Sequence, residues 1–114
     1  MSSRRRVDYD VAVMEFLVQF ELDIPEGVAE TEVEDRERAE AAAAQMLADD
    51  GHMVRLWQVL VGHSRARVIG LYRAGSRAEL DGLLSALPLY EWMHISITPL
   101  VPHPNDPARI GTMA

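Results

Sequence analysis

His94 has both the side chain and the setting for proton transfer. It stands in the middle of an alternating stretch, Trp92 to Thr98, with Trp92 and Ser96 on its own side and Met93, Ile95 and Ile97 on the other. A neutral imidazole there could take or give a proton near pH 7, and its plainer role is a hydrogen-bonded histidine at an interface. His103, between Pro102 and Pro104, is expected to pack or cap the C-terminal segment, and His63 to sit exposed in a turn. The four histidines include no pair at ligand spacing such as H-x3-H, so no metal site is expected. Cysteine is absent, which removes disulfides and thiolate chemistry. Arg55 and Arg67 could hold a carboxylate, against the simpler role of charge at strand ends. Trp57 and Tyr72 could line a pocket or simply pack.

The elements that would carry these groups follow from periodicity. Met14, Phe16, Val18, Phe20 and Leu22 alternate with Glu15, Leu17, Gln19 and Glu21, predicting a first strand over Val11 to Leu22, stopped by Ile24-Pro25-Glu26-Gly27. A helix is expected from Thr31 to Asp49. Thr31 and Glu34 fit a capping box, acids crowd the first turns, and Glu32–Arg36 and Glu34–Arg38 are spaced for ion pairs. Ala39 and Ala41 to Ala44 favour helix and allow close approach to a sheet, and Gly51 suits the C-terminal cap. Strands are expected over Val54 to Val61 and Arg67 to Arg73, joined by a turn at Gly62-His63-Ser64-Arg65. A second capping box, Ser76 with Glu79, opens a helix whose Leu80, Leu83, Leu84 and Leu87 share one face until Pro88 stops it. The strand Trp92 to Thr98 closes the chain.

This order, βαββαβ, predicts a ferredoxin-like α+β fold: a four-stranded antiparallel sheet with two helices on one face. The uncovered face would hold Glu15, Leu17, Gln19, Trp57 or Gln58, Trp92, His94 and Ser96, too apolar for water and too polar for a core. Such faces pair in dimers that enclose a barrel-like cavity suited to a ligand.

With 114 residues the chain makes one domain, expected over residues 11–114 behind a flexible leader of residues 1–10. Its net charge of −7 argues against nucleic acid, whose phosphates need a basic face. The run Arg4-Arg5-Arg6 reads as part of the leader. No apolar run approaches the roughly 20 residues of a membrane span. Met1 to Asp10 lacks the apolar core of a signal peptide, so a cytoplasmic location is expected.

Several short motifs resemble the muconolactone Δ-isomerase family. They are Leu56-Trp57, Gly62-His63, Leu87-Pro88-Leu89-Tyr90, Met93-x-Ile95 and Pro99-Leu100-x-x-His103-Pro104, in the family's order and spacing, with Glu15 to Phe20 resembling its opening strand. The resemblance spans Met14 to Ile110. It implies a dimeric α+β barrel assembling into larger homo-oligomers such as decamers. It also implies cofactor-free, metal-free chemistry in which a side chain removes a proton next to a lactone carbonyl and the double bond shifts. That reaction needs a base near its working pKa and a donor to the enolate oxygen.

Glu40 keeps a family glutamate position and is the first candidate for the base, provided burial raises its pKa; the bland alternative is a solvated helix glutamate. His94 is the second candidate. Substrate contacts are expected at Gln19, Arg55, Trp57, Tyr72, Trp92, Ser96 and His103, and for Arg55 and Arg67 the resemblance supplies a reason, since the family's substrates are acids. Much of the polar inventory departs from the pattern. Gln58 replaces the arginine of L-W-R, Arg55 a histidine, Ala41 a lysine and Glu91 a proline; His94 and Ser96 replace acids, and Gln19 a basic residue. Three functions follow as alternatives: an isomerase acting on a small lactone of aromatic catabolism, a diverged isomerase or cyclase of secondary metabolism, or a non-catalytic binding or assembly module on the same fold.

Overall fold

The computed structural model describes residues 13–60 and 67–108. The expected leader, the turn holding His63 and the last residues of the chain lie outside them. Four strands, β1 (Met14–Leu22), β2 (Met53–Gln58), β3 (Arg67–Ala74) and β4 (Met93–Leu100), alternate with helices α1 (Glu30–Asp49) and α2 (Arg77–Ser85). A single 3-10 turn, Tyr90–Trp92, leads into β4. The strands form one sheet in the order β2-β3-β1-β4, every neighbouring pair antiparallel, which is the ferredoxin-like arrangement.

Register divides the sheet into two faces. Phe16 pairs with Tyr72 and Pro99, Val18 with Gly70 and Ile97, and Phe20 with Val68 and Ile95, so these side chains point the same way. That side is the core. Phe16, Val18, Phe20, Tyr72 and Ala74 meet Leu47 from α1 and Leu80, Leu84 and Leu87 from α2 and its exit. Leu80 and Leu84 are 0% and 1% exposed. Burying a leucine fully is worth roughly 1.5–3 kcal/mol, which is why so short a helix can hold its place.

The helix ends show which local signals operated. The Ser76 hydroxyl accepts from the Glu79 N–H at 3.0 Å, and the Glu79 carboxylate accepts from the Gly75 N–H at 2.5 Å. The predicted box at Thr31 and Glu34 does not form. α1 begins at Glu30 behind Ala29, which makes no side-chain cap, and Glu30 and Glu32 place negative charge at the dipole's positive end instead. Arg36 pairs with Glu32 as expected, whereas Arg38 pairs with Asp35 rather than Glu34. At the other end Gly51, with φ +82°, allows the reversal in which the His52 N–H reaches the Leu47 carbonyl at 2.9 Å and the Gly51 N–H the Ala48 carbonyl at 3.1 Å. α2 stops at Ser85, short of Leu87. Pro88 disfavours helical backbone at Leu87, but the Leu87 N–H still bonds the Leu84 carbonyl at 3.0 Å and keeps that side chain in the core.

The opposite face carries no helix. On it lie Leu17 and Gln19 of β1, Ile69 and Leu71 of β3, Arg55 and Trp57 of β2, and His94, Ser96 and Thr98 of β4. Directly paired charges flank the apolar centre: Glu15 with Arg73 at 3.0 Å and Glu21 with Arg67 at 3.6 Å. Trp92 is not on this face, contrary to the alternation. It ends the 3-10 turn, is 6% exposed, and packs on the helix side. Among the described residues no helix is long and apolar enough to cross a membrane.

Candidate functional site

Arg36 and Glu40 are one turn apart on α1, and both reach the segment between α2 and β4. The Arg36 guanidinium donates to the Pro88 carbonyl at 3.2 Å, pairs with Glu91 and Glu32, and lies 4.3 Å from the centre of the Trp92 ring. Glu40 accepts from the Leu89 N–H through Oε1 at 3.0 Å, while its Oε2 has no hydrogen-bond partner among the described residues. This clamp fixes the position of α1 over the sheet.

Between α1 and the sheet lies an open-sided cavity of about 440 Å³. Its walls are Phe20, Leu22, Leu47, Met53, Leu56, Val68, Leu87, Leu89 and Met93, with Glu40, Glu37, Tyr72 and Gln58 as the polar members. The alanines expected to draw α1 against the sheet act differently here. Ala41 and Ala44 line the cavity, and their short side chains leave the space unfilled. A volume of this order suits a small organic molecule.

Burial pushes the Glu40 carboxyl above the ordinary carboxylate value, and the Leu89 N–H, which favours the anion, opposes that shift in part. Tyr72 is 3% exposed, and its phenol is pushed up to about 12 by burial, with the charge of Glu40 adding to the effect. It therefore stays protonated as a donor across the physiological range. Its ring lies over Gly70, where a Cβ would stand 2.5 Å from Tyr72 Cε1 and 3.0 Å from Leu56 Cδ1. Only a residue without a side chain leaves that space. The site thus brings together a carboxyl that can exchange a proton and a phenol that can donate a hydrogen bond, in apolar surroundings.

The other candidate residues lie elsewhere. Gln19, Arg55, Trp57, His94 and Ser96 are on the open face, separated from Glu40 by the sheet. Arg55 stacks over Trp57 at 4.8 Å, and His94 Nε2 lies 3.4 Å from Asp23 Oδ2 with its side chain 76% exposed. Trp92 supports Arg36. His103 Nδ1 accepts from the Asn105 N–H at 2.9 Å, so it caps a turn in its own segment.

Gln58 joins the cavity, and the alternation could not place it. The register of β2 against β3 slips between Met53 and Arg55, so Met53, Leu56 and Gln58 face the helices while Arg55 and Trp57 face away. A wider groove of about 880 Å³ lies at the far end of the sheet, lined by Glu15, His52, Arg73 and Glu79 among others. Most of its polar groups are already matched, Arg73 with Glu15, Glu79 with the Gly75 N–H, and His52 Nδ1 with the Arg73 carbonyl at 2.8 Å. Among the described residues no group of three or more His, Cys, Asp or Glu is arranged to hold a metal ion.

The fold and site define a ferredoxin-like α+β protein with one half-buried carboxyl in a largely apolar pocket between α1 and the sheet. More narrowly, the family model for muconolactone delta-isomerase matches residues 14–106, and the chain belongs to that family. It is 33% identical to the muconolactone Delta-isomerase of Cupriavidus pinatubonensis over 82% of this chain and 98% of that one. To muconolactone Delta-isomerase 1 of Acinetobacter lwoffii it is 29% identical, over 82% and 94% of the two chains. A crystal structure of muconolactone isomerase superimposes with a TM-score of 0.72 at 26% identity, covering 81% of this chain and 93% of that one.

Proposed function

We propose that this chain is an isomerase that shifts a carbon–carbon double bond in a small enolisable lactone, with Glu40 moving the proton. The observation that carries the reading is the Glu40 carboxyl itself. It is half-buried in an apolar cavity, anchored through Oε1 to the Leu89 N–H, and raised in pKa by its burial. A carboxylate in water is a weak base; one whose pKa moves toward the operating pH can both accept a proton and return it.

In this reading Glu40 takes a proton from the carbon conjugated, through the double bond, with the lactone carbonyl. The electron pair moves through that bond onto the carbonyl oxygen, giving a dienolate, and the same carboxyl delivers the proton to the carbon next to the carbonyl. No atom is gained or lost. The Tyr72 hydroxyl and the Gln58 amide N–H groups, which line the same cavity, donate to the oxygen as its charge develops. The buried Tyr72 and half-buried Glu40 are partly withdrawn from water, which strengthens the hydrogen bonds they make.

The open face supports a second element of the proposal, pairing with another copy of the chain. Its centre is apolar, Trp57 is 42% exposed, and the flanking charges are already paired. Sedimentation of the full chain checks it, with a homodimer or a larger ring expected and a monomer contradicting it. Turnover of muconolactone and of its methyl ester, followed by ultraviolet absorbance, checks the chemistry. The wild-type chain should convert at least one of them and Glu40→Gln neither. Equal turnover by both proteins removes Glu40 from the reaction, and no turnover by the folded wild type removes the isomerase reading.

A further inference from the structure

The charges around the cavity define what can enter it. Among the described residues its lining includes two carboxylates, Glu40 in the wall and the exposed Glu37, and no arginine or histidine. The sequence contains no lysine at all. Arg36, one turn from Glu40, is occupied by Glu91, Glu32, the Pro88 carbonyl and the Trp92 ring. Arg38 pairs with Asp35, Arg67 with Glu21, Arg73 with Glu15 and Arg77 with Asp81, while Arg55 stacks on Trp57 across the sheet.

We infer that the substrate part bound in this cavity is uncharged, a neutral lactone or ester-bearing lactone rather than one carrying a free carboxylate there. The inference rests on the proton-transfer reading of Glu40 and narrows its substrate class. A carboxylate entering would meet Glu40 and Glu37 with no counter-charge among the described lining residues, and like charges at close range repel. A cation would pair with Glu40 and hold it as the anion, opposing the return of the proton. A neutral lactone meets neither obstacle. Its hydrocarbon part gains burial against Leu56, Leu87, Leu89 and Met93, and its carbonyl meets Tyr72 and Gln58. Gln58 and Ala41 are the neutral positions from which a longer basic side chain would project into the same space.

The test is calorimetric titration of the full chain with muconolactone and with its methyl ester at neutral pH, alongside deuterium incorporation into each ligand in D₂O. The ester should bind at least about tenfold more tightly than the acid. Gln58→Arg, checked for folding by its thermal melt, should narrow or reverse that preference by bringing a cation to the cavity. Acid binding as tight as or tighter than ester binding in the wild type overturns the inference, as does failure of the ester to bind. Deuterium incorporation separates this from the chemistry. Exchange without a charge preference retires the substrate class alone, and a charge preference without exchange supports the class while retiring the proton-transfer reading.

Discussion

The two faces of this sheet are built from the same four strands and have opposite characters. The helix-covered face is a core that was left incomplete: leucines from α2 fill one half, while the alanines of α1 leave a cavity over the other half. The open face carries apolar and polar side chains side by side, and the charges at its flanks are matched in the cross-strand pairs Glu15–Arg73 and Glu21–Arg67. The contrast shows where perturbed chemistry can arise. An ionisable group changes its proton affinity when water is taken from it, and water is withdrawn under α1, where Glu40 and Tyr72 sit. His94 has the more suggestive side chain, but within the single chain it is 76% exposed and lies across the sheet from Glu40.

The most damaging change expected for function is Glu40→Gln. Turnover should fall by about 10²- to 10⁴-fold, the usual share of a general acid–base group, in steady-state assays. The fold should survive, because the glutamine carbonyl can still accept from the Leu89 N–H. The same variant tests the sign of the pKa shift through stability. A carboxyl whose folded pKa is raised stabilises the chain fully below the ordinary carboxylate range, and that contribution is lost as pH rises through the raised value. Chemical denaturation across that window should show the decline in the wild type and its absence in Glu40→Gln.

Leu80→Ala comes next. It should cost about 2–5 kcal/mol in chemical denaturation, because α2 has nothing to replace a fully buried leucine. Gly70→Ala should cost about 1–3 kcal/mol and lower turnover as well, since the new methyl group meets the Tyr72 ring. Ser76→Ala should cost about 1 kcal/mol through the lost cap. The smallest effect belongs to the open face: His94→Gln should change stability by less than about 0.5 kcal/mol and leave turnover essentially intact. A large loss there would erase the distinction between the two faces.

Much of the architecture is legible in the sequence because it is written in short periods. Alternation along β1 and the leucine spacing of α2 fix which side chains point inward, and Ser76 with Glu79 marks a helix start that the chain uses. The failures have local causes. Trp92 continues the alternation of β4 on paper, but the 3-10 turn takes it out of the strand's period. Thr31 lost to an earlier start because Glu30 and Glu32 suit a first turn without a hydroxyl cap. The site was less legible than the fold. Glu40 could be singled out through family resemblance, whereas its meeting with Tyr72 depends on tertiary packing that no spacing encodes. Gln58 stayed ambiguous because one slipped pairing in β2 decides its face.

The pH dependence of kcat/KM for the preferred lactone, measured in the wild type and in Glu40→Gln, tests the central claim most directly. The wild-type rate should rise with pH through a single ionisation above the ordinary carboxylate value, as Glu40 becomes the base, and the variant should lack that rise at its low residual rate. An unchanged profile in Glu40→Gln, with the ionisation lost instead in His94→Gln, would move the chemistry to the open face and contradict the account.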